Sequence, residues 1–224
     1  MRWRSVVLTC VALGIGGSAD AVPVLSIVAP GPSETIPAGG EVNDLLESIY
    51  GLGTTTRDGY HGATVFLSEP ATVSFTYLGT EALFLNQFFV GANSFANDGT
   101  AAIGSTFSLF MPAGALPFSF SITDFSLVTT PVLNCLGGIA PCNQANVGFV
   151  PNFFTSFSGS GTDTSGNTLI LFLDDAGGAN IDDDNHDDMV VQVAVAPEPI
   201  PEPGSMLLLG SGLAALWARR RRNA

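Results

Sequence analysis

The side chains most able to do chemistry lie in one aspartate-rich segment near the carboxyl end of the chain. Seven aspartates fall within the fifteen residues 174–188, with no lysine or arginine among them. Keeping so many negative charges in one connection costs electrostatic energy that water screens only in part. Ca²⁺ would remove that cost, because it takes about six to eight oxygen ligands in flexible geometry and is bound by many weak extracellular sites. The predicted calcium ligands are Asp174, Asp175, Asn180, Asp182, Asp184 and Asp188.

The spacing of these aspartates does not match the common calcium loops. Counted from Asp182, an EF-hand needs a glycine where Asp187 stands and a glutamate where Val193 stands. Residues 177–182 match an RTX nonapeptide imperfectly and only once. Two alternatives to calcium binding remain open. The segment is either a solvated acidic hairpin that blunts sheet edges and keeps the domain soluble, or a set of catalytic carboxylates.

Local motifs of common enzymes are missing from the sequence. There is no Gly-x-Ser-x-Gly elbow and no glycine-rich phosphate loop ahead of a helix. His61 lies in the stretch 58–62, Asp-Gly-Tyr-His-Gly, which predicts a turn rather than the position of a general base. We therefore expect no enzymatic activity. A polysaccharide hydrolase stays an alternative, because its two carboxylates need no local spacing.

The charge distribution excludes nucleic acid as a partner. The chain has 20 acidic and 7 basic residues and a formal net charge of −13. Lysine is absent, and six of the seven arginines lie in the terminal segments, so Arg57 is the only arginine of the central region. Phosphate binding needs clustered cations, which this region lacks. Anionic lipid surfaces are disfavoured for the same reason.

Two of the three cysteines are predicted to form a disulfide. Cys135 and Cys142 flank a short stretch with two glycines and one proline, which allows the chain to turn back on itself. An oxidising compartment outside the cytoplasm would favour the bond. Metal ligation is the weaker interpretation, because only His61 and His186 could join the two cysteines.

Residues 1–21 have the pattern of a signal peptide. Arg2 and Arg4 precede an apolar run at 6–15, and Ala19 and Ala21 are the small residues that signal peptidase accepts. We expect export and cleavage after Ala21. An uncleaved membrane anchor is disfavoured, because about ten apolar residues are too few for a bilayer that needs roughly 20.

Residues 22–196 are predicted to form one all-β domain. Apolar and polar residues alternate at 72–77 and 118–122, which gives each of two strands one apolar face. Beyond Asp124 the apolar set changes parity to Phe125 and Leu127, which predicts a bulge or bend. Residues 169–173 are all apolar and predict a central strand covered on both faces.

Turn residues separate several further predicted strands. One short helix is expected at 44–50, with Asn43 as its cap and Gly51 as its end. The sixteen phenylalanines are interpreted as core residues. Many short strands favour an antiparallel, jelly-roll-like β-sandwich over a parallel α/β fold. The further strands are expected at 63–67, 83–90, 105–110, 147–154 and 189–195.

Residues 197–224 carry a second terminal pattern. Pro201-Glu202-Pro203 precedes the uncharged segment 206–218, which is short for a membrane helix and would cross a bilayer only with local thinning. A basic cluster follows this segment. The positive charges would stay on the cytoplasmic side, so the body would lie outside. The cluster consists of Arg219, Arg220, Arg221 and Arg222.

This order of elements resembles the PEP-CTERM sorting signal of exopolysaccharide-associated proteins of Gram-negative bacteria. The resemblance implies that an exosortase, a membrane-embedded cysteine transpeptidase, recognises Pro201-Glu202-Pro203 and removes the helix. The body would then reach the cell surface or the extracellular matrix. Pro197-Glu198-Pro199 repeats the motif, and we favour the second copy because it adjoins the apolar segment. An ordinary tail-anchored protein is the alternative. The aspartate-rich segment also resembles a closing hairpin of other exosortase substrates.

Three functions are compatible with the sequence. The first is an exported structural or adhesive protein of an exopolysaccharide or biofilm, stabilised by calcium. The second is a carbohydrate-binding module, which would hold aromatic side chains in an exposed groove. The third is a polysaccharide hydrolase, with two carboxylates about 5 to 10 Å apart on a concave face. The expected partners are signal peptidase, exosortase, the inner membrane during transit and extracellular polysaccharide.

Overall fold

The computed structural model describes residues 24–29, 31–37, 43–136, 139–178, 185–196, 210–212 and 219–221. Its described body contains fifteen strands and the helix α1 (Asp44–Tyr50). The strands are β1 (Leu25–Val28), β2 (Glu34–Ile36), β3 (Arg57–His61), β4 (Thr64–Leu67), β5 (Ala71–Gly79), β6 (Leu85–Val90), β7 (Asn93–Ala96), β8 (Thr106–Met111), β9 (Gly114–Ala115), β10 (Phe118–Thr123), β11 (Thr129–Leu133), β12 (Asn152–Phe157), β13 (Ser165–Gly166), β14 (Thr168–Asp174) and β15 (Met189–Val195).

The strands form three antiparallel sheets. The largest has seven strands in the order β2-β3-β12-β14-β15-β5-β8. Two smaller sheets have four strands each, in the orders β13-β1-β4-β9 and β11-β10-β6-β7. The prediction of an antiparallel all-β body is therefore confirmed. The jelly-roll-like sandwich arrangement stays a prediction.

Two hydrophobic clusters cover the two faces of the seven-stranded sheet. The larger cluster combines side chains from all three sheets, among them Leu25, Phe75 and Phe88. The smaller cluster packs Leu46 of α1 against Phe154 and other side chains of β12, β14 and β15. Burying one such side chain stabilises the fold by about 1.5–3 kcal/mol. Nine of the sixteen phenylalanines are buried.

β14 is buried on both faces, as its uninterrupted apolar sequence predicts. Leu169, Leu171 and Leu173 belong to the larger cluster, whereas Ile170 and Phe172 belong to the smaller one. The strand pairs with β12 on one side and β15 on the other. Because β14 is paired on both sides, the residues just beyond its ends are attached to a well-anchored strand.

The predicted helix and both of its ends are confirmed. Asn43 Oδ1 accepts a hydrogen bond from the Leu46 N–H at 3.1 Å, and the Gly51 N–H donates to the Glu47 carbonyl at 2.9 Å. Asn43 also donates through its side-chain amide to the Asn185 carbonyl at 2.6 Å. The helix cap is therefore bonded directly to the acidic segment that precedes β15.

Two local predictions are wrong. Residues 58–62 do not form a turn, because Arg57–His61 is strand β3. Gly59 in that strand allows close packing, since a Cβ there would lie 2.5 Å from the Phe154 ring. β12 begins at Asn152 rather than near 147, because Gly148 adopts a positive φ of 62° that interrupts extended backbone.

The change of parity beyond Asp124 is a bend, one of the two predicted outcomes. The chain turns after Thr123, where the Leu127 N–H donates to the Asp124 carbonyl at 3.0 Å, and Phe125 and Leu127 are both exposed. Leu127 has a φ of 62°, which is uncommon for a residue with a side chain. Several strands were also not predicted, because each has at most five residues and little apolar alternation. These are β1, β2, β3, β7, β9, β11 and β13.

The terminal segments form a unit separate from the body. The chain divides into one compact unit of residues 22–198 and another of 1–21 with 199–224. In the second unit, residues 210–212 and 219–221 are helical. Among the described residues, no helix is both long enough and apolar enough to span a membrane. The signal peptide, Pro201-Glu202-Pro203 and Arg222 lie outside the described residues, and the membrane helix stays a prediction.

Gly177 fixes the chain where it leaves β14. Its φ is +78°, and a Cβ there would lie 2.5 Å from the Val150 carbonyl oxygen and 2.8 Å from the Gly148 carbonyl oxygen. Its N–H donates to Asp174 Oδ1 at 2.5 Å. The position therefore needs both the backbone freedom and the small size of glycine.

We expect Gly177→Ala to lower the free energy of unfolding by about 3 kcal/mol or more, because it adds a steric collision to the strain of a positive φ. Gly91→Ala is the matched control: Gly91 has a φ of +61° and nothing within 4 Å of a Cβ. The control should cost only about 1–2 kcal/mol. Urea unfolding of both full-length variants in mild detergent measures the difference, and equal losses would contradict the close packing.

Candidate functional site

Four aspartates at the two described ends of the acidic segment are buried. Asp174 and Asp175 follow β14 with exposed fractions of 1% and 4%, and Asp187 and Asp188 precede β15 with 2% and 8%. Aspartate is rarely buried unless it is paired or binds a metal, because an ionised carboxylate loses its hydration. These four side chains define the acidic cluster, which is the candidate functional site.

Arg57, the only arginine of the body, is engaged away from the acidic cluster. Its Nε donates to Ser156 Oγ at 2.8 Å, and its Nη2 donates to the Phe157 carbonyl. Its guanidinium carbon lies 4.1 Å from the centre of the Tyr50 ring. Burial raises the pKa of Tyr50, and the Arg57 charge offsets part of that rise. Arg57 therefore ties β3 to β12, and these bonds do not involve the acidic cluster.

One half of the cluster joins Asp175 and Asp188. The Asp175 N–H donates to Asp188 Oδ2 at 2.7 Å, and the buried Asn86 amide donates to Asp175 Oδ2 at 2.7 Å. Two further hydrogen bonds to backbone carbonyls fix the same half. Thr80 Oγ1 donates to the Asp188 carbonyl, and the Glu81 N–H donates to the Asp187 carbonyl at 3.0 Å. Asn86 belongs to β6, so these bonds connect two sheets.

The other half of the cluster contains two buried histidines. His186 Nε2 lies 3.7 Å from Asp174 Oδ2 and 2.9 Å from His61 Nε2. On its far side, His61 Nδ1 lies 3.4 Å from Glu34 Oε2. The His61 ring also meets the Phe154 ring edge-on at 4.8 Å, which places this half on the α1 face of the seven-stranded sheet.

The histidine pair lies in a part of the body away from Arg57, its only arginine. Imidazole gains or loses a proton near neutral pH and can also ligate metals. His186 has a φ of +61°, a strained backbone for a residue with a side chain, and such strain persists where the surroundings enforce it. The surrounding structure therefore holds the two buried histidines in place.

Sequence reasoning missed most of the partners of the aspartates. His61 and His186 are 125 residues apart, so local spacing gives no sign that they meet. Asn86 sits in a strand that was predicted only for its apolar residues. The one available signal was the position of His186 inside the acidic segment, between Asn185 and Asp187.

The predicted calcium ligands are placed in two groups. Asp175 and Asp188 are brought together, whereas Asp174 faces His186 on the α1 side. Asn180, Asp182 and Asp184 lie outside the described residues. Within the described part of the chain, no three or more His, Cys, Asp or Glu side chains form a group that could hold a metal ion. Calcium binding therefore stays a prediction.

The predicted disulfide is present. Cys135 and Cys142 are bonded, with their Cα atoms 5.1 Å apart. The Cys135 carbonyl accepts a hydrogen bond from Thr64 Oγ1 at 2.9 Å, which ties the small loop to β4. The disulfide therefore has a structural role, and it lies far in sequence from the acidic cluster.

A pocket of about 480 Å³ opens beside the Asp175 and Asp188 half of the cluster. Phe84, Phe125 and Phe149 contribute aromatic rings to its wall. Of these, Phe125 and Phe149 are 76% and 71% exposed, so they are not core residues as the composition suggested. The acidic residues of its wall are Glu81, Asp124, Asp175, Asp187 and Asp188.

Comparison with known proteins assigns the tail of the chain. A family model described as the PEP-CTERM protein-sorting motif matches residues 197–222. No curated protein and no solved structure matches the chain. The matched motif indicates an exosortase-sorted protein that is exported to the cell surface or the extracellular space. The sequence-based recognition of a PEP-CTERM sorting signal at the end of the chain is thereby confirmed.

Proposed function

We propose that the body is a structural or adhesive component of an extracellular polysaccharide matrix or biofilm, and that calcium stabilises its acidic segment. The observation that carries the calcium part is the burial of four aspartates while Arg57 is engaged elsewhere. The proposal includes no catalytic step. Carbohydrate binding enters as the means of adhesion.

The route to the matrix follows from the two terminal patterns. In this proposal signal peptidase cleaves after Ala21, and residues 206–218 hold the protein in the inner membrane for a time. Arg219 to Arg222 stay in the cytoplasm, because positive charges resist translocation. Exosortase then recognises Pro201-Glu202-Pro203 and releases the body outside.

Burial of the aspartates favours calcium over a solvated acidic hairpin. A hairpin whose only role is solubility would keep its carboxylates in water, where charge costs little. Asp174, Asp175, Asp187 and Asp188 are instead almost fully enclosed. A divalent cation would compensate the charge that this enclosure desolvates.

Two buried amide oxygens next to the cluster add to this argument. Among the described residues, Asn86 Oδ1 and Asn152 Oδ1 have no hydrogen-bond partner. Asn152 is the cross-strand neighbour of Asp174, and Asn86 donates to Asp175. Neutral side-chain oxygens of this kind are ordinary calcium ligands.

Carbohydrate binding as the adhesive activity is favoured by the pocket. A sugar ring packs its C–H face on an aromatic ring, and its hydroxyls donate to carboxylates. Phe125 and Phe149 are exposed next to Asp124 and Asp187 in one pocket wall. Exposed hydrophobic side chains that are grouped together and rimmed by polar residues are typical of a binding site.

The sorting proposal predicts different effects for two glutamates in repeated motifs. Glu202→Ala should leave the tail attached, because it removes the carboxylate of the copy next to the apolar segment. Glu198→Ala is the matched control and should be processed normally. Intact mass spectrometry of protein from cells with a working exosortase distinguishes the forms. Recovery of unsubstituted protein that retains Trp217 would contradict the proposal.

The calcium proposal predicts a change in thermal stability. About 10 mM calcium should raise the Tm of the full chain in detergent by about 3–10 °C relative to EGTA, given a Kd of about 0.1–1 mM. Asp175→Asn should raise the Tm in EGTA, because it relieves repulsion, and should reduce the calcium-induced rise. Differential scanning calorimetry measures both.

Asp163→Asn is the matched control for the calcium experiment. Asp163 is exposed and accepts a turn hydrogen bond from the Ser160 N–H at 3.0 Å, which an asparagine oxygen can also accept. It should leave the calcium-induced rise unchanged. An unsubstituted chain with the same Tm in calcium and in EGTA would refute calcium stabilisation.

A further inference from the structure

The acidic pocket lies where three parts of the fold meet. Ile122 comes from β10, Phe149 and Pro151 precede β12, and Asp175 and Asp188 bound the acidic segment. A volume of about 480 Å³ is within the range of small-ligand sites. The pocket is therefore large enough for one or two sugar units and is supported by strands from two sheets.

The charge of the pocket wall selects the kind of ligand. Five acidic side chains and no arginine, lysine or histidine stand among the described residues that line it. Ionised carboxylates only accept hydrogen bonds, so the ligand has to donate them. An anionic ligand would meet like charges, which costs affinity. A ligand with ammonium and hydroxyl groups complements this wall.

The aromatic rings select the shape of the ligand. The exposed Phe125 ring packs edge-on against Phe84, with ring centres 5.1 Å apart. This contact favours one orientation of the Phe125 ring. Phe149 presents a second exposed ring in the same wall. Phenylalanine rings attract both the C–H face of a sugar and a nearby ammonium group.

We propose that this pocket binds an amino sugar unit with a free ammonium group, as part of a partly deacetylated hexosamine polysaccharide. The sugar ring packs on Phe125 and Phe149, and its ammonium and hydroxyl groups donate to the carboxylates. A lysine side chain of a peptide would bring the same charge, but it is narrower and lacks the hydroxyl donors. The inference rests on the proposed adhesive function and names its ligand class.

Two acidic residues of the wall make the inference independent of calcium. Glu81 and Asp124 belong neither to the predicted calcium ligands nor to the buried acidic cluster. Asp124 Oδ1 accepts hydrogen bonds from the Ser126 N–H at 2.8 Å and the Val128 N–H at 3.0 Å, which fixes the carboxylate beside Phe125. The negative wall thus persists if calcium neutralises Asp175 and Asp188.

The test is calorimetric titration of the full chain in mild detergent at about 0.15 M salt, where long-range attraction is screened. The probe is a hexamer of glucosamine, and the comparison ligands are a hexamer of N-acetylglucosamine, an oligomer of guluronate and hexalysine. We expect the glucosamine hexamer to bind at least tenfold more tightly than each comparison ligand.

Two variants and two matched controls locate the binding. Phe125→Ala and Asp124→Asn should each weaken glucosamine-hexamer binding about tenfold, which corresponds to about 1.4 kcal/mol. Phe110→Ala changes an equally exposed ring outside the pocket. Asp98→Asn changes an exposed aspartate whose Oδ1 likewise accepts the N–H two residues later, at 2.9 Å. Neither control should change affinity more than about twofold.

The outcomes separate this inference from the proposed function. Equal losses in the pocket variants and the controls would overturn the pocket assignment while leaving adhesion to polysaccharide in place. Equal binding of the acetylated hexamer would overturn the ammonium requirement, and tighter binding of hexalysine would assign the pocket to a basic peptide. If no oligosaccharide binds and the protein also fails to retain native matrix polysaccharide, both proposals are wrong.

Discussion

Burial of four aspartates beyond the ends of two central strands is the constraint on which this structure depends. β14 is buried on both faces, β15 is buried on one face and partly on the other, and the acidic segment lies between the two strands in sequence. The aspartates at the segment's two ends are enclosed by protein, and the one arginine of the body bonds to β12 instead. A buried carboxylate needs hydrogen-bond donors or positive charge beside it.

The fold meets this constraint with groups taken from distant parts of the chain. Backbone N–H groups of Ala176 and Gly177 donate to Asp174 Oδ1, and Asn86 donates to Asp175 from another sheet. His61 and His186 add titratable nitrogens beside Asp174. Polar groups thus connect the helix side of the seven-stranded sheet, its central strands and strand β6 of a second sheet.

The proposed function places the body where cations are supplied from outside. The body lacks lysine, its tail carries the motif of exosortase-sorted proteins, and the Cys135–Cys142 disulfide suits an oxidising compartment. The proposed calcium site and the proposed pocket for a cationic sugar would both use this excess of carboxylates. In this account the negative charge of the body suits both its extracellular localisation and the binding of cationic ligands.

Sequence patterns predicted those elements whose burial is periodic or complete. β5, β10 and β14 follow from alternation or from an unbroken apolar run, and α1 follows from its cap and its terminal glycine. Short strands such as β9 and β13 have two residues each, so their pairing depends on tertiary neighbours and leaves no periodic trace.

Of the candidate site, the sequence predicted the aspartates but not the side chains that contact them. Clustered aspartates are visible in the sequence, but the meeting of His61 with His186 arises from strand order. Exposure of Phe125 and Phe149 was equally hidden, because a turn at Asp124 and a positive φ at Gly148 remove both rings from the strands predicted to contain them. Tertiary packing, and not residue type, decides which phenylalanines face solvent.

Equilibrium dialysis of the full chain against calcium tests the central claim most directly. Between about 0.1 and 10 mM free calcium, which spans the Kd of weak extracellular sites, the account predicts binding that rises and saturates at one or more ions per chain. Asp175→Asn should lower that binding, and Asp163→Asn should not. A chain that binds no calcium up to about 10 mM would show that the buried aspartates are compensated by other means and would contradict the account.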